Sequence, residues 1–122
     1  MAFVHLDGFN ESGKELDITA KWEDEAETKL LCFLQGIMDT NNSNLFNDAV
    51  GKELSGLSRC DRVVFDLAGI TYLSSTGIGT LSNIMVQCKK KNIPFFLTKV
   101  PDKIKRIMSQ LGFLIYFKFL DS

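Results

Sequence analysis

The feature that most constrains the fold is a change of hydrophobic period in the middle of the chain. Residues 62–67 contain a short β-branched and aromatic run, which is typical of a buried strand. From residue 76 to residue 91 the apolar side chains recur at steps of three and four, which is typical of an amphipathic helix. A strand followed by a helix of this length predicts a βα unit and therefore a largely parallel sheet.

Similar patterns continue on both sides of this unit. Strands are predicted over residues 15–22, 29–35, 93–100 and 113–120. Helices are predicted over residues 45–57 and 101–111. An acidic turn over residues 23–27 joins the first two strands in a hairpin, and the second strand is so apolar that we expect it to be buried on both faces. The predicted fold is α/β: a single layer of mixed, mostly parallel sheet with an N-terminal β-hairpin and helices packed against it.

The length of 122 residues corresponds to one domain, so residues 1–122 are expected to fold together. Residues 1–13 fit the pattern least well, and Phe3, Leu6 and Phe9 indicate either an extra strand or a loose segment that packs down on the domain. No apolar run approaches the roughly 20 residues of a membrane span, and no signal peptide opens the chain. We therefore expect a cytoplasmic protein that does not insert into a membrane.

The cysteines and the histidine argue against a metal site. Cys32, Cys60 and Cys88 show no C-x-x-C spacing, and His5 is the only histidine of the chain. Cys32 and Cys88 fall in apolar stretches, where a free thiol acts as a small hydrophobic side chain. Reduced cysteines in a cytoplasmic core and no bound metal are the expectation.

The charge of the chain is balanced overall but unevenly distributed. The net charge is −1, whereas residues 1–60 carry 5 basic and 11 acidic side chains and residues 61–122 carry 9 basic and 4 acidic ones. A nucleic-acid-binding domain is typically basic as a whole, so nucleic acid is not an expected partner. The asymmetry either orients a protein partner or reflects an ordinary solvated surface.

A hydroxyl-rich and glycine-containing loop stands between the central strand and its helix. It comprises Ser74, Ser75, Thr76 and Gly77, and Gly79 follows in the first turn of the helix. Hydroxyl groups at this position cap a helix, and the free N–H groups of the first turn stabilise a phosphate. The loop is therefore a plain cap or a site at which covalent modification changes the charge.

Three enzyme motifs fail at this loop. Ser82 stands where a dinucleotide-binding fingerprint has its third glycine, and no lysine follows the loop before Lys89, so the phosphate-binding loop of nucleotide hydrolases is absent. Neither Ser74 nor Ser75 is flanked by glycines as in a nucleophile elbow. We expect no intrinsic enzymatic activity and no cofactor.

Residues 63–81 resemble the STAS domain, the module of bacterial anti-sigma-factor antagonists. The family typically has a hydrophobic strand, then Asp-Leu-Ser-Gly, then Asp-Ser-Ser/Thr-Gly-Leu-Gly at a helix start, and here Asp66 begins the first motif. Residues 36–39, which end at Asp39, resemble the family's Gly-x-Leu-Asp, and residues 111–122 resemble its closing segment. The resemblance extends from about residue 15 to residue 122.

The resemblance implies a regulatory partner switch. An unmodified antagonist binds an anti-sigma factor that is also a serine kinase, phosphorylation of the loop serine releases it, and a phosphoserine phosphatase resets the system. The acceptor position maps onto Ser75, with Ser74, Thr76, Gly77 and Gly79 as the supporting loop and helix start. The kinase supplies ATP and catalysis, so this chain needs no cofactor.

Two departures from the family pattern bear on these expectations. Ser74 stands where the family usually has aspartate, which leaves Ser74 and Thr76 as alternative acceptors. The family commonly continues with another helix after the last strand. The apolar side chains of residues 113–120 are therefore expected either to be buried in the core or to support self-association or contact with a partner, with a homodimer as one outcome.

Two other functions stay open at this point. The first is a STAS accessory or docking subunit of a transporter or another signalling complex, without phosphorylation. The second is a nucleotide-binding regulatory module that uses the same loop.

Overall fold

The computed structural model describes residues 4–12, 15–57 and 59–120. Its four strands are β1 (Leu16–Trp22), β2 (Lys29–Met38), β3 (Arg62–Leu73) and β4 (Phe95–Thr98). Its helices are α1 (Val4–Asn10), α2 (Ser43–Ser55), α3 (Ser75–Lys90) and α4 (Asp102–Gln110), followed by a 3₁₀ turn at Leu114–Tyr116.

The strands form one sheet in the order β1-β2-β3-β4. β1 and β2 pair antiparallel, whereas β2 with β3 and β3 with β4 pair parallel. The predicted fold class, a mostly parallel mixed sheet with an N-terminal hairpin and packed helices, is confirmed.

The hairpin between β1 and β2 is closed by one carboxylate of its acidic turn. Oδ1 of Asp24 accepts from the backbone N–H groups of Thr28 and Lys29, at 3.0 Å each. The hydroxyl of Thr28 donates to the other carboxylate oxygen, and this bond is the largest cause that lowers the pKa of Asp24. The acidic residues therefore form the predicted turn and leave the strands in register.

β3 is the central strand of the core. Its residues 63–67 are all buried, so both faces of the sheet are covered at this point. The ring of Phe65 makes edge-to-face contacts with Phe46 of α2 at 6.3 Å and with Phe95 of β4 at 5.0 Å between centroids. The strand predicted over residues 62–67 thus lies at the centre of the core.

The prediction that β2 is buried on both faces is wrong. Leu30, Cys32 and Leu34 are buried in the core, but Phe33 on the other face is 36% exposed, with Nζ of Lys21 at 5.4 Å from its ring centroid. Burial of β2 therefore alternates along its first half. An apolar run shows that a strand tolerates burial, whereas the second face is covered only where another element packs on it.

Residues 4–10 form a helix, so the extra-strand alternative for the N-terminal segment is wrong over this stretch. Leu6 and Phe9 are buried, and the ring of Phe9 contacts that of Phe46 at 5.5 Å. The alternative that the segment packs down on the domain describes these two residues correctly; Phe3 lies outside the described residues.

The predicted strand over residues 113–120 is also wrong. The N–H of Phe113 donates to the carbonyl of Met108 at 2.8 Å, after Gly112 has taken a φ of 78°. The chain then makes the 3₁₀ turn and meets β4 at a single bridge between Leu97 and Phe119. The first residues of the predicted strand instead form the turn that reverses the chain after α4.

The apolar side chains of this closing segment divide between the two expected outcomes. Phe117 is buried in the core, and Phe113 and Phe119 pack against it. Ile115 is 87% exposed and Tyr116 is also exposed. Core burial therefore describes part of the segment, and its turn carries exposed apolar surface.

Candidate functional site

The carboxyl ends of β2 and β3 bring two loops together. Met38 and Leu73 are register partners at these strand ends, and the N–H of Ser74 donates to the carbonyl of Met38 at 3.0 Å. The hydroxyl groups of Thr40 and Thr76 lie 3.3 Å apart across the two loops. The predicted hydroxyl-rich loop therefore lies beside the loop that leads into α2, at the edge where α/β folds place their sites.

Ser74 is the N-cap of α3. Its backbone is extended, with φ −80° and ψ 169°, and its Oγ accepts from the N–H of Gly77 at 3.1 Å. This bond satisfies one of the free donors of the first turn, which is the capping role predicted for a hydroxyl here. The serine thus does structurally what the aspartate of the family pattern would do, without the charge.

Ser75 is the first residue of α3 and its side chain is exposed. Thr76 is exposed too, but its hydroxyl meets Thr40 and its carbonyl accepts from the hydroxyl of Thr80. Among the residues that the structure describes, the Ser75 hydroxyl has no hydrogen-bond partner. Of the three candidate acceptors, Ser75 is thus the one whose oxygen is exposed and uncommitted.

Gly77 lets α3 start close to the end of β2. A Cβ at this position would lie 2.8 Å from the carbonyl oxygen of Met38 and 2.9 Å from Cδ1 of Leu73. Gly79, one residue beyond, would place a Cβ in open space. The first glycine of the motif is therefore required by packing, and the second is not.

Asp39 orders the neighbouring loop. Its Oδ1 accepts from the N–H groups of Asn41 at 2.9 Å and Asn42 at 3.3 Å, and its own N–H donates to Oδ1 of Asn42 at 3.0 Å. Its carbonyl also accepts from the N–H of Ser43 at the start of α2. The structure thus places Asp39 at the candidate site, where it fixes the loop that carries Thr40.

Asp66 is not at this site. It lies seven residues before the end of β3, which is about 23 Å along an extended strand. Its side chain is buried, its Oδ1 accepts from the N–H of Ala68 at 2.9 Å, and Nζ of Lys99 lies 4.0 Å from its Oδ2. These contacts give Asp66 a structural role in β3, remote from Ser75.

Two apolar side chains beside the loops were missed by the sequence analysis. Leu45, the third residue of α2, is 46% exposed, and Tyr72, three residues before Ser75, is 49% exposed. A signal existed for both: Leu45 adjoins the buried Phe46 on a helix, and Tyr72 adjoins the buried Leu73 on a strand. Successive side chains point to opposite faces of a strand and lie about 100° apart on a helix, and here one side chain of each pair is exposed beside the loops.

The cysteines are free thiols, as predicted. Cys32 and Cys88 are buried and Cys60 is half-buried. Burial raises the pKa of Cys88 to about 12 and also raises the pKa values of Cys32 and Cys60. These thiols are therefore protonated at neutral pH and are poor nucleophiles.

No group of three or more His, Cys, Asp or Glu side chains in residues 4–12, 15–57 and 59–120 is arranged to hold a metal ion. In the same part of the chain, no helix reaches the length and apolarity that crossing a bilayer requires.

Several solved structures share this architecture. The chain is similar to the anti-sigma factor antagonist SpoIIAA in its unphosphorylated form, with 10% identity, 86% of this chain and 87% of that chain covered, and a TM-score of 0.69. It is similar to an anti-sigma factor antagonist from Mycobacterium paratuberculosis, with 20% identity, coverage of 84% and 85%, and a TM-score of 0.64. It is also similar to a sulfate transporter family protein from Wolinella succinogenes, with 16% identity, coverage of 61% and 65%, and a TM-score of 0.54.

Identities this low establish a common fold only. The family is shown by the sequence, because the family model of the STAS domain matches residues 21–122. This range is most of the chain and includes both loops of the candidate site. On this match, and on the fold that agrees with it, the chain belongs to the STAS domain family.

Proposed function

We propose that this protein is an anti-sigma-factor antagonist that acts by partner switching, with Ser75 as the phosphorylation acceptor. The observation that carries the proposal is the exposed and uncommitted hydroxyl of Ser75 on the first residue of α3. Membership of the STAS family and the likeness to two anti-sigma factor antagonists support it. The partners are an anti-sigma factor with serine kinase activity and a phosphoserine phosphatase.

The covalent step uses this chain as a substrate. Oγ of Ser75 attacks the γ-phosphorus of the ATP held by the kinase, the new O–P bond forms as the bond to ADP breaks, and the hydroxyl proton passes to a base of the kinase. The phosphatase later hydrolyses the phosphoester with water. Neither the phosphorylation nor the hydrolysis needs a catalytic group of this chain.

Charge and solvation explain why the modification would release the partner. Leu45, near the start of α2, and Tyr72, three residues before Ser75, are exposed apolar side chains that a docked protein would cover. A phosphate on Ser75 adds about −1.5 to −2 charges at neutral pH, and burying it would remove its hydration. The unmodified chain therefore binds, and the phosphorylated chain is released.

The modification is tested by incubating the protein with the serine-kinase anti-sigma factor of the same organism and ATP. We expect one phosphate, mapped by mass spectrometry to Ser75 and absent from Ser75→Ala. Ser109→Ala is the matched control, because Ser109 is also exposed on a helix but lies on α4. Phosphate on Ser109, or on no residue of the loop, would rule the mechanism out.

The same kinase tests the binding half of the proposal. By isothermal calorimetry, Ser75→Ala should bind like the unmodified protein, whereas Ser75→Asp should bind at least about tenfold more weakly, since one fixed negative charge enters the interface. Equal affinities for the two variants would contradict the switch.

A docking subunit of a transporter complex is the second candidate. The likeness to a sulfate transporter family protein favours it. Capture of the tagged protein from the native extract separates the two candidates, since a serine kinase should be recovered in the first case and a membrane transporter in the second.

The nucleotide-binding alternative has less support. The N–H of Gly77, which would face a phosphate at this helix start, is already bound by Oγ of Ser74 at 3.1 Å. Calorimetry with ATP and GTP tests this alternative directly.

A further inference from the structure

An apolar groove with a basic edge lies at the end of the molecule opposite Ser75. It has a volume of about 510 Å³, and Met85, Val86, Ile93, Phe95 and Tyr116 form its apolar lining. Lys89 and Lys118 line the same groove and both are exposed. We call this feature the basic groove.

The acidic turn of the β1–β2 hairpin lies at the same end. Lys29 pairs with Arg62 and Val63 pairs with Phe95, so β2, β3 and β4 all begin at one level. The turn precedes β2 and the groove adjoins the start of β4. The starts of β2 and β4, which the turn and the groove adjoin, are therefore about two strand spacings, or about 10 Å, apart.

The charges of the two features differ in whether they form ion pairs. Glu23 of the turn pairs with Arg62 at 3.3 Å. Within the described part of the chain, however, Glu25 and Glu27 form no ion pair, and neither do Lys89 and Lys118; all four side chains are exposed. One end of the protein thus presents a negative and a positive surface side by side.

We propose that this end is the interface of a homodimer with a two-fold axis. A two-fold rotation between adjacent surfaces of opposite sign places each acidic turn over the basic groove of the other copy. Both pairs of contacts then form at once and the assembly closes at two chains. The exposed Val86 and Tyr116 of each groove lose their contact with water in the same step.

A second copy of the chain is complementary to this surface, because each copy carries both the acidic turn and the basic groove. The geometry also keeps the dimer separate from the proposed switch. Lys89 lies 14 residues beyond Ser75 on α3, which is about 21 Å along the helix axis. Dimerisation therefore leaves the loop open to a kinase, and the inference does not depend on phosphorylation of Ser75.

Sedimentation velocity of the full chain measures the assembly. We expect a species of about 27 kDa, twice the 13.7 kDa of the chain, at about 100 µM protein in about 50 mM NaCl. At about 500 mM NaCl the dissociation constant should rise at least about tenfold, because exposed charges are screened. A monomer at low salt, a dimer insensitive to salt, or a mass that keeps growing with concentration would each overturn the proposal.

Charge reversal tests which residues meet. The pair Lys89→Glu with Lys118→Glu and the pair Glu25→Lys with Glu27→Lys should each yield monomers, whereas an equimolar mixture of the two should form dimers again, since both contacts regain opposite charges. Lys103→Glu with Arg106→Glu is the matched control on the exposed side of α4 and should stay dimeric.

Circular dichroism establishes that each reversed variant is folded. A folded reversed variant that remains dimeric, or a mixture that does not associate, would overturn the proposed contacts. Should a variant fail to fold, the salt dependence of the unmodified chain still decides between a charged dimer interface and none.

Discussion

The two glycines at the start of α3 differ in what they do, although the sequence motif treats them alike. A Cβ on Gly77 would collide with the strand end at Met38 and Leu73, whereas a Cβ on Gly79 would meet open space. The difference depends on how closely the helix approaches β2, and this distance is a property of the folded sheet.

Alanine substitution should separate these two positions. Gly77→Ala is expected to lower the free energy of unfolding by about 1–3 kcal/mol, because the added methyl group overpacks the junction. Gly79→Ala, the matched control, should raise it by about 0.5–1 kcal/mol, since alanine favours the helix. Urea denaturation followed by circular dichroism measures both, and equal effects of the same sign would contradict the close approach.

At the scale of the elements, α1 is attached to the edge of the sheet by a side chain that bonds the backbone of β1. The side-chain amide of Asn10 donates to the carbonyl of Ile18 at 2.7 Å and accepts from its N–H at 2.9 Å. β1 is the edge strand, so these bonds satisfy backbone groups that face away from β2. The N–H of His5 adds a bond to Oε1 of Glu53 on α2, at 2.7 Å.

Asn10→Ala should loosen this attachment. We expect a loss of about 1–2 kcal/mol in the free energy of unfolding and faster hydrogen exchange at the amide of Ile18, because two hydrogen bonds disappear at an edge that water can reach. Asn44→Ala, an exposed position on α2, should change stability by less than about 0.5 kcal/mol. Unchanged exchange at Ile18 would show that α1 does not protect the strand.

The whole molecule shares one core that contains buried thiols on different elements. Cys32 lies on β2 and Cys88 on α3, and burial raises the pKa of both above the ordinary value of 9.0. The unfolded chain therefore loses these protons at a lower pH than the folded chain. The stability they contribute is complete below pH 9 and is lost as the pH rises toward about 12.

Alkaline destabilisation should follow from this difference. Between about pH 8 and pH 10 we expect each buried thiol to lower the free energy of unfolding by roughly 1 kcal/mol, since only the unfolded state ionises there. The double variant Cys32→Ala with Cys88→Ala should lose correspondingly less stability over the same interval, measured by urea denaturation at both pH values. Identical pH dependence of the two proteins would show that the thiols are not responsible.

Local patterns in the sequence were enough to predict the central part of the fold. The strand over residues 62–67, the helix over residues 76–91 and the hydroxyl-rich cap between them depend on neighbouring residues, since periodicity and capping act within a few positions. The sheet class and Ser75 as the candidate acceptor followed from this segment and its family resemblance. The structure confirms the sheet class, and the role of Ser75 stays a prediction.

The tertiary structure alone decided what depends on contacts between distant segments. The open face of β2 at Phe33, the docking of α1 and the turn that replaces a strand after α4 are set by which elements pack together. Strand order and direction place Asp66 away from the site. They also place the acidic turn and the basic groove at the same end of the molecule. The sequence pattern of a segment determines whether the segment tolerates a buried or an exposed environment. Which of these environments it occupies is determined only by packing against distant segments.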